Sequence, residues 1–313
     1  MEEPKPTWAR EVQTEPPNFG QAQRVSSLAL WWEVARRRPR CEAILAQGQA
    51  LCPFVPGLVS LVVLSCRRLP QLQRLCDSLI PFLGSVETFS KFERILVDNG
   101  SGQELLAYAK SLNFFHRIMA HQTNRGMLDA LRGAFTVCRG EYILLLEEDF
   151  VLQYDRPFLR ACLDVLTDYP EIGIIRLKNQ NNWWKPHRRI APLRSTRSGV
   201  PFWTWLPSAD GTLNVWSAGS VLFRKVSYVS TGPLPEGPNV SRETISHQGY
   251  LYECSYGRRY NRTWLAAKLK QCYPFVQPND HADSPGWGQE TTPQNHRENA
   301  TEAQKMQAPG FGV

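Results

Sequence analysis

No stretch of this 313-residue sequence is apolar for long enough to cross a bilayer. The longest runs, around 58–64 and 143–146, fall far short of the roughly 20 residues a span requires. The first residues, MEEPKPTWAREVQTEPPNF, also lack the basic-then-apolar order of a signal peptide. Its eight cysteines include no C-x-x-C pair and no Cys/His array with zinc spacing. Several, Cys66 and Cys162 among them, sit inside apolar segments as small hydrophobes, which suits a reducing compartment. Internal repeats are absent, and there is no long basic block: only Arg36-Arg37-Arg38-Pro39-Arg40 is a true cluster. The expectation is a soluble, cytoplasmic protein, with the Golgi lumen open if an anchor lies outside this sequence. The excess of 36 Lys and Arg over 29 Asp and Glu is as well explained by a small phosphate-bearing ligand as by nucleic acid or an anionic membrane.

What is present is a rhythm. A β-branched run at 58–64 precedes helical spacing over 69–83 (Leu72, Leu75, Leu79, Phe82). A second strand at 92–97 ends in the turn Asp98-Asn99-Gly100-Ser101, and helix 104–112, strand 117–120 and helix 127–137 follow. The run from Gly140 to Glu147 reads as a central strand buried on both faces. Strand and helix alternating in this way predict right-handed βαβ units and a mostly parallel sheet flanked by helices, an α/β fold. Beyond 155 the order loosens: a helix at 156–167, strands at 172–177 and 215–223, and a helix at 242–252. We divide the chain into an N-terminal arm and short helix (1–55), a nucleotide-binding half (56–155), an acceptor-binding and catalytic half of the same domain (156–288) and a polar tail (289–313). The segment 28–40 predicts a helix with one apolar side and a basic end, docked on the main domain or touching a membrane surface.

The chemistry gathers at strand ends. The first strand ends in Ser65-Cys66-Arg67-Arg68, the second in Asp98, and the last in Glu147-Glu148-Asp149. In a parallel sheet these ends share one edge, where open α/β sheets bind ligands. Three adjacent acids raise each other's pKa unless a cation intervenes, and a hard divalent ion suits oxygen ligands. Taken singly, Asp98 is equally well a turn former and Arg67 a surface residue.

The segments LVVLSCRR, ILVDNGS, NRGMLDALRGAF and GEYILLLEED, in this order and spacing, resemble a family-2-type glycosyltransferase of the nucleotide-sugar-binding fold called GT-A. The likeness covers 58–152 well and 210–288 loosely. It departs at the acidic motif, where EED replaces the usual Asp-x-Asp and is similar instead to Golgi N-acetylglucosaminyltransferases. The resemblance implies transfer of a sugar from a nucleotide-sugar, UDP-linked by the Asp98 and Arg125 arrangement, to a hydroxyl of a glycan, protein or small molecule. It assigns Ser65, Arg67, Asp98, Asn124, Arg125 and Glu147 to the nucleotide. Within that set, Asp98 would accept from the base, Arg125 would lie beside base or ribose, and Glu147 would lie near the ribose. Asp149 would hold Mn²⁺ or Mg²⁺, with His281 closing the metal shell, although a lone histidine is as often structural. An inverting transfer needs a carboxylate base. Glu243 matches the second acid of the family's pair, with Arg242 replacing the first, and Glu236 and Asp210 stand in reserve. The amide- and aromatic-rich stretch Asn179 to Trp184, with Trp203 and Trp205, suits a sugar-binding wall or core packing alike. Three other readings stay open. A nucleotidyltransferase of related topology would be expected to carry a glycine in LSCRRLPQL, where there is none. A nucleic-acid-binding protein has no recognisable motif here, and a sugar-binding protein without catalysis is mildly disfavoured by Asp98, Asp149 and Glu243.

Overall fold

The structure, a computed structural model, describes residues 23–86, 91–153, 158–178, 189–207, 216, 219–235, 255–270, 272 and 274–277. In chain order the elements are β1 (Gln23–Arg24), α1 (Ser27–Ala46), α2 (Gly48–Leu51), β2 (Val55–Ser65), α3 (Leu69–Val86), β3 (Lys91–Asn99), α4 (Gln103–Ser111), β4 (Arg117–His121), α5 (Met127–Val137) and β5 (Gly140–Glu147). They continue with β6 (Val151–Leu152), α6 (Phe158–Asp168), β7 (Ile172–Arg176), β8 (Arg189–Ile190), β9 (Arg194–Ser195), β10 (Pro201–Leu206), β11 (Val221–Arg224), α7 (Lys225–Thr231), β12 (Leu265–Leu269) and β13 (Phe275–Val276).

One sheet runs β4-β3-β2-β5-β11-β7-β12-β10-β8-β1, with β9 added on β10. Its β4-β3-β2-β5 portion is parallel throughout. β11 then enters antiparallel between β5 and β7. The apolar strands alternate as a pleat requires. From β5, Tyr142, Leu144 and Leu146 enter one core and Ile143 and Leu145 the other. On the first face Leu72, Leu75 and Leu79 of α3 pack with Leu159, Cys162 and Val165 of α6. On the second lie Leu128, Leu131 and Phe135 of α5. Each helix thus buries one stripe against the sheet, giving a three-layer α/β/α arrangement. Two further strands, β6 and β13, pair antiparallel beside the sheet.

Two sequence expectations shift. Of the strand expected over 215–223, the described residues show Val221–Arg224, with Gly219 and Ser220 in a bend before it. The helix expected over 28–40 runs through Pro39 to Ala46. It docks by its inward face: Arg37 donates to the Asn261 carbonyl at 2.9 Å, and Cys41 Sγ to that of Thr263 at 3.3 Å. Arg38 reaches the fully buried Glu171 with both Nε and Nη2, and Arg194 reaches the other oxygen of that carboxylate at 2.7 Å. The helix expected over 242–252 lies outside the described residues. Among the described residues, no helix is long and apolar enough to cross a membrane.

Candidate functional site at the carboxyl edge of the sheet

The register of β2 sets the site. Leu64 pairs with Glu147 of β5, and Ser65 with Asp98 of β3. Ser65 therefore sits between the two acids, whose backbones are about 10 Å apart at two strand spacings. Beyond Ser65 the chain turns through Arg67, a non-glycine residue at φ +60. Arg67 is stitched sideways: its N–H donates to Ser101 Oγ at 2.7 Å and its Nε to the Gly100 carbonyl at 3.3 Å. Asp98 is wholly buried and accepts the Ser101 N–H on both oxygens, at 3.1 and 3.3 Å. It is thus the turn former its local sequence suggests, with acceptor capacity to spare on each oxygen.

A second loop closes over this turn. Gly100 has φ +85, and a Cβ there would stand 2.6 Å from Asn124 N and 2.7 Å from Thr123 C, so only glycine lets the two backbones meet. Asn99, which sequence reasoning treated only as a turn residue, joins them. Its Oδ1 accepts from Arg125 N–H at 2.9 Å and its Nδ2 donates to Asn124 Oδ1 at 2.8 Å. Asn124 Nδ2 in turn lies 3.5 Å from Cys66 Sγ. This brings Asn124 and Arg125 to the same edge as Ser65 and Asp98. The Arg125 side chain is 59% exposed, with its guanidinium 3.9 Å from Asp129.

The acidic triplet divides its labour. Glu147, ending β5, is half-buried. Glu148 turns inward and accepts the Cys66 N–H at 3.2 Å, with Arg68 Nε 3.7 Å away. Burial first, and then the neighbouring Asp149, push its carboxyl up to about 7 against the pull of Arg68. Asp149 accepts on Oδ2 from Arg68 Nη1 at 3.1 Å and from Gln277 Nε2 at 2.6 Å. Lys178 Nζ donates to Gln277 Oε1 at 2.5 Å, which fixes the amide with its NH₂ toward Asp149. Asp149 Oδ1 is buried and has no hydrogen-bond partner among the described residues. A buried carboxylate oxygen left unpaired is costly, and a divalent cation suits it. Among the described residues, no three His, Cys, Asp or Glu side chains gather around one point, so the triplet is not a single three-carboxylate site. Asp149 fits such an ion only if the remaining ligands come from elsewhere.

The raised Glu148 has a measurable consequence. In protein free of divalent ions, the unfolded carboxyl ionises near the ordinary 4.5 while the folded one keeps its proton to about 7. Between these values the folded state binds more protons, so stability falls as pH rises through the window and levels off above it. Glu148→Gln is expected to flatten this slope in urea midpoints measured across the window. An unchanged slope would remove Glu148 as its source.

Residues 60–222 match the family described as Glycosyl transferase family 2, more than half of the chain. The chain belongs to glycosyl transferase family 2. Its α/β sheet, parallel through β4-β3-β2-β5 and flanked by helices, is the GT-A type of that family. Among solved structures, this family 2 chain is similar to S. aureus TarS 1-349, with 14% identity over 70% of this chain and 59% of that one, at a TM-score of 0.47. It is also similar to the mannosyltransferase PcManGT from Pyrobaculum calidifontis in complex with GDP-Man and Mn²⁺, with 15% identity over 72% and 59% and a TM-score of 0.41. The chain thus spans 59% of the length of each. Comparison with curated protein sequences gives no match.

Of the residues expected in this family 2 site, Ser65, Arg67, Asp98, Asn124, Arg125, Glu147 and Asp149 come to one edge. Glu243, Glu236, Asp210, His281 and the 179–184 stretch lie outside the described residues. Trp205 is buried in the second core with Arg176 over its ring at 5.6 Å, a packing role. Sequence reasoning missed Arg68 and Gln277. The signal for Arg68 was its place beside Arg67; Gln277 offered none.

Proposed function

We propose that this chain is a metal-dependent, inverting glycosyltransferase that moves a sugar from a UDP-sugar to a hydroxyl acceptor on a glycan, protein or small molecule. The observation that carries this reading is the buried Oδ1 of Asp149, without a partner among the described residues, beside the Arg68 guanidinium and on the edge that also holds Ser65, Asp98 and Glu147. A carboxylate oxygen able to bind a cation, next to the Arg68 guanidinium, suits a nucleoside diphosphate, whose oxygens pair with both.

In this reading Asp98 accepts from the uracil N–H, Arg125 covers the base or ribose, and Glu147 faces the ribose. Ser65, Asn124 and Arg67 line the nucleotide's path, and Arg68 takes a phosphate oxygen. Asp149 Oδ1, with His281, would hold Mn²⁺ or Mg²⁺, a Lewis acid that neutralises the leaving diphosphate when bound. Gln277 and Arg68 keep Asp149 aimed by saturating its other oxygen. Glu243 removes the proton from the acceptor hydroxyl as that oxygen attacks the anomeric carbon, with Glu236 and Asp210 as the reserve bases. The division near 155 into donor and acceptor halves belongs to the same proposal.

The test is thermal unfolding with UDP, GDP, CDP and TDP, each with and without Mn²⁺. A ligand bound only by the folded state raises the melting temperature. The largest rise is expected with UDP and Mn²⁺ together; no rise with any nucleotide would overturn the reading. For Asp98, Asp98→Asn keeps an acceptor for the Ser101 N–H but loses the second carboxylate oxygen. It is expected to weaken UDP binding in calorimetry by about 1–3 kcal/mol. Unchanged affinity would leave Asp98 as a turn former alone.

A further inference from the structure

We propose that the outward face of α1 seats the protein on an anionic lipid surface. Six large apolar side chains are prominently exposed among the described residues, and three of them, Leu28 (72%), Trp31 (62%) and Trp32 (63%), lie within the first turn and a half of this helix. The pattern continues along it. Leu28, Trp31, Trp32, Ala35, Pro39 and Ala43 follow helical spacing down one side, and every one of them is exposed. A surface helix packed on a globular body normally shows the reverse, with its apolar stripe inward. Here the inward side carries Leu30, Val34, Arg37, Cys41 and Ile44, which leaves a second apolar stripe turned to solvent.

The mount does not let the helix roll to hide that stripe. Rotation would break the hydrogen bond of Arg37 to Asn261, the two of Arg38 to Glu171, and that of Cys41 to Thr263. The flanks say what the stripe meets. Arg36 and Arg40, both exposed, lie along one side of it; Arg36 pairs with Glu33 at 3.0 Å, and Glu42 is the one acid on the outward side. Tryptophan and leucine bordered by arginine is the make-up of a helix lying in a membrane interface. Indole rings settle at headgroup depth while guanidinium groups reach lipid phosphate. The chain's excess of seven positive charges favours anionic over neutral lipid. A protein partner would be recognised by shape, whereas two adjacent exposed indoles with basic flanks suit a fluid surface.

The experiment is co-sedimentation of the full 313-residue chain with vesicles of phosphatidylcholine and phosphatidylserine, compared with phosphatidylcholine alone. Binding to the anionic vesicles is expected, weakened by salt. Trp31→Ala with Trp32→Ala should lower the bound-to-free ratio by about tenfold or more, and Arg36→Gln with Arg40→Gln by about tenfold together with most of the salt dependence. All four side chains are exposed, so circular dichroism and the UDP-dependent thermal shift should match the parent chain. Failure to bind anionic vesicles, equal binding to neutral ones, or binding indifferent to the double tryptophan variant would overturn the proposal. So would a self-associated parent chain in sedimentation velocity that the tryptophan variant returns to monomer, which would make the stripe a contact between two copies.

Discussion

Asp149→Asn is expected to reduce sugar transfer by about 10²–10⁴-fold, since a catalytic metal supplies several kcal/mol of charge stabilisation and each 1.4 kcal/mol is tenfold in rate. The neighbours of Asp149 determine how the substitution acts. Its Oδ2 receives both Arg68 and Gln277. The amide oxygen of the variant will take that position and leave an NH₂ group where Oδ1 now stands unpartnered. A donor then faces the place where a cation would sit. The fold should survive, because both existing hydrogen bonds keep an acceptor. Mn²⁺ binding in the presence of UDP, followed by the free-ion electron paramagnetic resonance signal, should weaken in parallel, and excess chelator should silence the parent enzyme. Full transfer in chelator would reject a metal role here.

Glu243→Gln carries the second large effect. The amide keeps the size and most of the hydrogen bonding of the carboxylate but cannot take a proton, so transfer should fall by about 10²–10⁴-fold. In the proposed mechanism the base meets the acceptor hydroxyl and not the diphosphate, so affinity for the proposed UDP-sugar donor should stay close to that of the parent. Near-parental transfer would move the search to Glu236 and Asp210. A product retaining the donor's anomeric configuration would discard single displacement altogether.

The strongly periodic part of the chain was legible in the sequence. The bounds of α5 and β5 agree with the sequence expectation because amphipathic spacing and an uninterrupted apolar run leave little choice. Ser65, Asp98 and Glu147 could be placed on one edge from strand ends alone, since parallel pairing brings those ends together. Direction beyond a strand end was not legible. The positive φ of Arg67 turns Arg67 toward Ser101 and leaves Arg68, not Arg67, beside Asp149. Glu148 swings under the edge for the same reason: past β5 the two-residue alternation no longer governs which way a side chain points. Gln277 touches Asp149 from a distant part of the chain, on a segment too short for any periodicity. Sequence spacing carries no information about such a contact.

The antiparallel entry of β11 also governs how the protein is made. While the chain is being synthesised, β2, β3, β4 and β5 emerge first and can pair among themselves, but the free side of β5 must wait for Val221 to reach Leu145. Until then one of the most apolar strands in the molecule is an open edge, the kind of surface on which nascent chains stick to one another. A ribosome-bound or truncated chain ending near residue 210 should therefore recruit chaperones or aggregate, despite containing β2, β3, β4 and β5. Closing that edge is a long-range event that delays the last stage of folding.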